Sequence, residues 1–217
     1  MPRAIYLLSP SPFEGVINLP MIQFERVADA LLLEGCDTLI FTSKEAVKQA
    51  YAINRSITNY PAIAIGSATQ KALEALGIDV IHSAQKFYGE VLAKDIQEYF
   101  ADKKLLYLRP KKVSTNIKEL LKNSAIDIEE QIIYQTICKE YNGDHKPPQG
   151  SIIIFTSPST IRCFLQNFEW ESSYSAVVIG KATLQYLPKE AHYQIAHQPL
   201  IEACIKKAKL LKSMNRI

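Results

Sequence analysis

Two short motifs occur twice in this chain, and the copies of both motifs are the same distance apart. Ile40–Ser43 and Ile154–Ser157 both read Ile-Phe-Thr-Ser, while Ile65–Thr69 and Ile179–Thr183 both read Ile-Gly-x-Ala-Thr. Ile154 lies 114 residues after Ile40, and Ile179 lies 114 residues after Ile65. Two matches in one register predict two copies of one supersecondary unit, and so two similar domains. A cleft between domains is a preferred place for a small-molecule site.

The composition agrees with two small globular domains. A chain of 217 residues can form one large domain or two domains of about 100 residues each. No apolar run approaches the ~20 residues of a membrane span. The N-terminus leads directly into a strand-like run, which predicts no signal peptide. The net charge of +3 is too weak to indicate nucleic acid, although it is compatible with an anionic small ligand. We therefore expect a cytoplasmic protein with neither nucleic acid nor membrane as a partner.

The residues that commonly carry metals or redox chemistry are scattered. Cysteine occurs at four positions without CxxC spacing, namely Cys36, Cys138, Cys163 and Cys204. We interpret them as reduced structural thiols. The histidines lack metal-ligand spacing, and there is no Walker A loop, GxGxxG or HExxH motif. The sequence thus predicts neither a metal nor a cofactor.

Short apolar runs alternate with helical patterns along the chain. The runs predict strands buried on both faces of a parallel sheet, at Ala4–Leu8, Thr38–Thr42, Ala62–Ile65, Asp79–His82, Leu105–Leu108, Ser151–Thr156, Ala176–Ile179 and Tyr193–Ala196. The predicted helices are Lys44–Ala52, Ala68–Leu76, Gly89–Phe100, Thr115–Lys122, Ser159–Phe168, Ala182–Tyr186 and Ile201–Leu211. This alternation is typical of a doubly wound α/β fold with right-handed crossovers.

The repeat also predicts how the domains are divided. The first copy contains the strand Leu105–Leu108, but the second copy ends before an equivalent strand. Ala4–Pro10 resembles Leu105–Pro110 and can supply it from the N-terminus. We therefore predict a discontinuous α/β domain of residues 1–15 and 141–217, and an inserted α/β domain of residues 27–127. Residues 16–26 and 128–140 would then pair as a two-stranded connector.

Each repeat places polar residues where a buried strand ends. In an open α/β sheet, the loops beyond the carboxyl ends of the strands form the ligand crevice. Ser43 and Ser157 also occupy helix N-cap positions, and capping alone is the simpler interpretation of each. The other motif lies at strand-to-helix junctions, with Gly66, Ser67 and Thr69 in one copy and Gly180, Lys181 and Thr183 in the other. Free N–H groups at a helix start attract anions, so four such junctions favour carboxylate or phosphate binding.

Two basic segments allow a role in binding or a role on the surface. Arg109 follows a buried strand and could reach an anion, although solvation at the strand end is the alternative. Lys111 and Lys112 are most simply part of a solvated face.

In their order along the chain, these motifs resemble those of the uroporphyrinogen-III synthases. The matching segments are Leu39–Val47, Ile65–Leu73, Leu106–Arg109, Ile133–Thr136, Phe155–Ser159 and Ile179–Thr183. The resemblance spans nearly the whole chain. It implies two flavodoxin-like doubly wound parallel-sheet domains joined by a two-stranded connector.

The resemblance implies a cyclising hydro-lyase of tetrapyrrole and haem biosynthesis. Its substrate would be hydroxymethylbilane, a linear tetrapyrrole with an acetate and a propionate on each ring. Loss of water gives an azafulvene, and a spiro intermediate then allows the last ring to be inverted in uroporphyrinogen III. The family uses no metal or organic cofactor, so proximity and orientation carry much of the catalysis. We expect a monomer that receives this substrate by transient hand-over from the preceding pathway enzyme.

The resemblance also assigns roles to particular residues. Tyr134 matches a connector tyrosine near the leaving hydroxyl, and so it is the expected catalytic residue. The hydroxyl positions lining the cleft would be Ser43, Thr69, Ser157 and Thr183, with Gly66 and Gly180 as turn glycines. Lys181 stands where a proline is more usual and could be an extra carboxylate contact. Between Pro10 and Ile17 the chain is too short for the usual first crossover helix.

Two other interpretations remain open at this point. The same junctions would suit a non-catalytic two-domain protein that closes on an anionic small ligand. A degenerate synthase-like protein without activity would keep the same motifs. Tyr134 favours the enzyme, because a simple binder does not need a phenol on the connector. A half-buried strand tyrosine is, however, common in sheets.

Overall fold

A computed structural model describes residues 3–84, 89–113 and 115–214. Its strands are β1 (Ile5–Leu7), β2 (Ile17–Asn18), β3 (Ile22–Arg26), β4 (Thr38–Phe41), β5 (Ala62–Ile65), β6 (Val80–Ala84), β7 (Leu105–Pro110), β8 (Ile128–Cys138), β9 (Ile152–Phe155), β10 (Ser175–Val178) and β11 (His192–Ile195). Its helices are α1 (Lys44–Ile53), α2 (Ser67–Glu74), α3 (Gly89–Tyr99), α4 (Ile117–Leu120), α5 (Pro158–Asn167), α6 (Lys181–Leu184) and α7 (Ile201–Met214). Every predicted strand and helix is present, with shifts of a few residues at the ends.

The chain forms two compact units, each with its own sheet. The terminal unit comprises Met1–Gln23 and Ile137–Ile217, and the inserted unit comprises Phe24–Thr136. The terminal sheet has the order β11-β10-β9-β1-β2, and its strand pairs are parallel. Numbered along the chain, this is the 2-1-3-4-5 order of flavodoxin-like folds.

The inserted sheet has the same order with a different starting point. Its order is β3-β8-β7-β4-β5-β6, and the five strands from β8 to β6 are parallel. If the numbering starts at β7, these five strands again follow 2-1-3-4-5. In the terminal sheet β1 takes the central place that β7 takes in the inserted sheet. The duplicated flavodoxin-like fold expected from the sequence is therefore confirmed.

Helices cover both faces of the inserted sheet. Side chains alternate along a strand, so Leu39 and Phe41 share one face while Ile40 lies on the other. Leu39 and Phe41 pack with buried residues of α1 and α2, whereas Ile40 packs with buried residues of α3. All three strand residues are fully buried. This double coverage explains why the strand is continuously apolar rather than alternating with polar residues.

The chain passes between the units along β3 and β8. The prediction of one connector strand over residues 16–26 needs correction. Residues 16–26 form two short strands instead of one. The first, β2, pairs with β1 in the terminal sheet, with Ile17 beside Tyr6. Of these two short strands, β3 is the one that pairs with β8. The N–H of Val27 bonds the Ile133 carbonyl at 3.1 Å, and the N–H of Lys139 bonds the Met21 carbonyl at 2.9 Å, so the pairing is antiparallel.

The segment between β1 and β2 is as short as the sequence indicates. All residues between Leu7 and Ile17 are described, and they form bends and a turn without a helix. Within the described ranges, no helix is long and apolar enough to cross a membrane.

Two of the four cysteines contradict the prediction of reduced thiols. Cys138, at the end of β8, forms a disulfide with Cys163 of α5, and their Cα atoms are 5.2 Å apart. Both residues belong to the terminal unit. The sequence did not reveal the pair, because only the fold brings the end of β8 beside α5. Cys36 and Cys204 are free thiols, and burial raises the pKa of Cys204 to about 11.

We expect this disulfide to contribute measurable stability. The two cysteines lie 25 positions apart in the sequence, and closing this loop should add about 3 kcal/mol to the free energy of unfolding. Cys138→Ser should therefore lower the urea midpoint of the oxidised protein, and dithiothreitol should lower that of the parent to the same value. Cys36→Ser removes a free thiol and serves as the control. An unchanged midpoint on reduction would contradict the prediction.

Candidate functional site

A cavity of about 430 Å³ opens in the inserted unit near the carboxyl ends of its strands. This is where the parallel topology gathers the starts of α1, α2 and α3. The lining residues are Thr42, Ser43, Lys44, Ile65, Ala68, Thr69, Gly89, Tyr107, Pro110, Lys112, Val113, Thr115 and Ile117. Hydroxyl groups dominate its polar side chains. The volume lies in the range of small-molecule sites.

A buried tyrosine supplies one of these hydroxyls. Tyr107 lies on β7, and only 1% of its surface is exposed. Its phenol and the Thr42 hydroxyl are 2.9 Å apart, and either can be the donor. Burial is the main cause that raises the pKa of Tyr107. The phenol is therefore neutral at physiological pH and remains a hydrogen-bond donor.

Ser43 connects the cavity to Tyr134. Ser43 caps α1, because its Oγ accepts the N–H of Ala46 at 3.0 Å. The same Oγ lies 2.9 Å from the Tyr134 hydroxyl, and Ser43 lines the cavity whereas Tyr134 does not. Burial raises the pKa of Tyr134 to about 12. The Tyr134 phenol, predicted to be catalytic, is thus connected to the cavity by its hydrogen bond with Ser43.

The first glycine junction places a buried hydroxyl at the cavity. Gly66 precedes α2 with φ 75° and ψ 161°, a conformation that is essentially restricted to glycine. This turn starts α2 at Ser67, which is exposed. Thr69, in the first turn of α2, lines the cavity and is only 3% exposed. Its hydroxyl has no hydrogen bond to any other residue in the described ranges.

Arg109 is engaged within the inserted unit. Its Nε donates to Oε2 of Glu130 at 2.9 Å, and its Nη2 donates to Oε1 at 2.6 Å. Nη1 also donates to the Pro110 carbonyl at 2.9 Å. The Arg109 side chain is 12% exposed and is not among the lining residues. Its geometry is that of a bidentate ion pair joining β7 to β8.

The terminal unit carries the second set of junctions. Ser157 caps α5 in a reciprocal capping box with Thr160, with both hydrogen bonds at 3.3 Å. Gly180 precedes α6 in an extended conformation, with φ −177°. Lys181, the first residue of α6, is exposed, whereas Thr183 is 3% exposed.

The structure brings together part of the predicted site within the inserted unit. Ser43 and Thr69 line one cavity, and Tyr134 adjoins it through Ser43. Sequence reasoning missed other lining residues, namely Lys44, Tyr107, Lys112 and Thr115. For Tyr107, the available signal is the pairing of two predicted strands. Its strand, β7, lies beside β4, and this pairing brings Tyr107 close to Thr42 at the end of β4.

The sheet order and the junctions define a duplicated, doubly wound α/β protein with a hydroxyl-lined cavity in its inserted unit. A family model described as uroporphyrinogen-III synthase HemD matches residues 14–206. The chain therefore belongs to the uroporphyrinogen-III synthase family, the cyclising lyases of tetrapyrrole synthesis.

Solved structures agree with this assignment. The crystal structure of uroporphyrinogen-III synthetase from Helicobacter pylori is 28% identical and has a TM-score of 0.83, covering 96% of this chain and 99% of that one. A mutant uroporphyrinogen III synthase from Thermus thermophilus is 10% identical with a TM-score of 0.58, covering 98% of this chain and 100% of that one. At that identity, the second likeness concerns the fold alone. The comparison with curated protein sequences gives no match.

The two equivalent glycines should respond differently to substitution. Gly66→Ala places a Cβ atom in a backbone conformation that costs about 1–3 kcal/mol for other residues. Gly180→Ala is the matched control, because its backbone is extended and an added Cβ meets nothing within 4 Å. We expect Gly180→Ala to change the free energy of unfolding by less than about 0.5 kcal/mol. Urea unfolding of both variants checks this, and equal losses would refute the difference.

Proposed function

We propose that this synthase closes hydroxymethylbilane to uroporphyrinogen III using hydroxyl and backbone N–H groups at its strand-to-helix junctions. The reaction loses water and inverts the last ring. The observation that carries the proposal is the hydroxyl-lined cavity of the inserted unit, in a chain that belongs to the synthase family. The alternative of a non-catalytic binder receives support from none of these findings.

Departure of the substrate hydroxyl requires a hydrogen-bond or proton donor, and we propose that Ser43 and Tyr134 act together. With Tyr134 as donor, the Ser43 oxygen accepts from both the phenol and the Ala46 N–H. The Ser43 hydrogen is then free to point at a ligand in the cavity. A phenol with a pKa of about 12 is a weak acid at pH 7, so it assists mainly by hydrogen bonding. Tyr134 would therefore support the departing hydroxyl through Ser43.

The remaining junction residues are proposed to hold the carboxylates of the substrate. In the inserted unit this role falls to Thr69 and to the backbone around Gly66 and Ser67, at the start of α2. The equivalent residues of the terminal unit are Ser157, Gly180, Lys181 and Thr183. Arg109 is no longer among the proposed contacts, because Glu130 and a backbone carbonyl already occupy its guanidinium group.

We also propose a cytoplasmic monomer. Each copy of the chain carries both sets of junctions, so a second copy is not needed to supply either. A substrate with an acetate and a propionate on every ring cannot readily enter a bilayer, since charged groups are costly there. The synthase must therefore work in the compartment where the preceding enzyme releases hydroxymethylbilane, which suits a transient hand-over between the two.

Isomer analysis of the product tests the proposed reaction. The protein is mixed with freshly made hydroxymethylbilane and a chelator, and the oxidised products are separated by chromatography. We expect predominantly the type III isomer, because only an enzyme that inverts the last ring produces it. A heat-unfolded sample is the control and should give type I by spontaneous closure. The same isomer mixture from the native protein and the control would contradict the reaction.

A double-mutant cycle tests the joint action of Ser43 and Tyr134. Ser43→Ala and Tyr134→Phe should each lower kcat by about 10²-fold, the size of one positioned donor. The double variant should be little slower than either single variant, because residues acting as a unit are non-additive. Tyr174→Phe is the control, since this phenol bonds the Pro147 carbonyl in the terminal unit. Losses that multiply in the double variant would show that the two hydroxyls act independently.

A further inference from the structure

We propose that the cavity of the inserted unit binds the two acidic side chains of a single pyrrole ring, and that Lys44 and Lys112 supply its positive charge. The proposal rests on the proposed function and extends it to a defined subsite. Neither lysine was expected from the sequence to have this role, and Lys112 was interpreted as part of a solvated face.

The charged side chains that line the cavity all carry positive charge. Lys44 is the first residue of α1, and Lys112 lies two residues beyond β7. Within the described ranges, they are the only charged residues that line the cavity. Neither forms an ion pair with a described residue. By contrast, Arg109 is paired with Glu130, and Lys146 is paired with Glu171.

Uncharged donors surround the same cavity. The starts of α1 and α2 present backbone N–H groups that lack partners within their helices. Thr69 offers a second, independent sign of a ligand. The residue is 3% exposed and lines the cavity, and its hydroxyl bonds no other described residue. The Thr42 and Tyr107 hydroxyls add a further neutral pair. Two cations and several donors without a lining carboxylate form a site for anions.

The size and charge of the cavity favour two carboxylates on one small ring. A volume of about 430 Å³ lies towards the lower end of ligand pockets, which are usually 300–1,000 Å³. It is therefore suited to a portion of a linear tetrapyrrole. Each ring carries its acetate and propionate on adjacent carbons, so one ring presents two negative charges close together. Two lysines match that charge.

The two lysines are expected to act on binding rather than on bond-breaking. Both are exposed, and their interaction with a carboxylate is partly screened by water and salt. Loss of either should raise KM and leave kcat within about two-fold, because an interaction made equally in the ground and transition states changes only binding.

Binding of non-reacting porphyrins tests the subsite independently of activity. Uroporphyrin has an acetate and a propionate on each ring, whereas coproporphyrin has one propionate on each. Fluorescence titration would compare the parent with Lys44→Gln and Lys112→Gln. The matched controls are Lys48→Gln, one turn further along α1, and Lys111→Gln, next to Lys112. All four variants lose one positive charge, and neither control residue lines the cavity.

We expect each cavity variant to weaken uroporphyrin binding by about 5-fold at low salt, and the controls by less than about 2-fold. The loss should be smaller for coproporphyrin, because one lysine suffices for one carboxylate. Equal losses in cavity and control variants, or no uroporphyrin binding to the parent, would overturn the subsite. If the lysine variants lost equal affinity for both porphyrins, the proposal that the cavity binds two acidic side chains of one ring would be overturned. The isomer assay reports separately on the reaction, so the two proposals can fail independently.

Discussion

Parallel pairing of strands is the constraint on which the rest of this structure depends. Parallel strands need a long return connection, and here helices supply most of these connections and cover the sheet on both sides. The same pairing places the carboxyl ends of neighbouring strands at one edge. Helix starts therefore gather at that edge, together with Ser43, Thr69 and the cavity. The parallel topology therefore has two consequences. It buries continuously apolar strands such as β4, and it determines where the site lies.

Duplication repeats this arrangement without keeping the two copies alike. Both sheets have the same strand order, but the chain enters them at different points, so β1 fills the place of β7. Equivalent positions nevertheless differ in backbone conformation and in charge. Gly66 adopts a conformation that other residues avoid, while Gly180 has an ordinary extended backbone. Lys181 is an exposed cation beside Gly180, where the inserted unit has Ser67.

The sequence predicted the elements better than the side-chain partners. Apolar runs and the repeat located the strands, because burial on both faces leaves a continuous signal. Cap residues such as Ser157 were also recognisable, since capping is local. The sequence did not reveal the Cys138–Cys163 disulfide or the contact of Tyr134 with Ser43. Each depends on which distant strand and helix lie side by side. The sequence left Arg109 open between an anion contact and solvation, because its pairing with Glu130 depends on the register of β7 against β8.

The most direct test of the account is to locate a bound polycarboxylate on the protein. Backbone amide NMR shifts would be followed during titration of uroporphyrin into the labelled protein. We expect the largest changes from Thr42 to Ala46 and from Gly66 to Gln70, where α1 and α2 begin. A separate small cavity lined by Glu34, Gly35 and Lys104 serves as an internal reference that should not respond. Shifts concentrated around that cavity, with none at the starts of α1 and α2, would contradict a site at the carboxyl edge of the sheet.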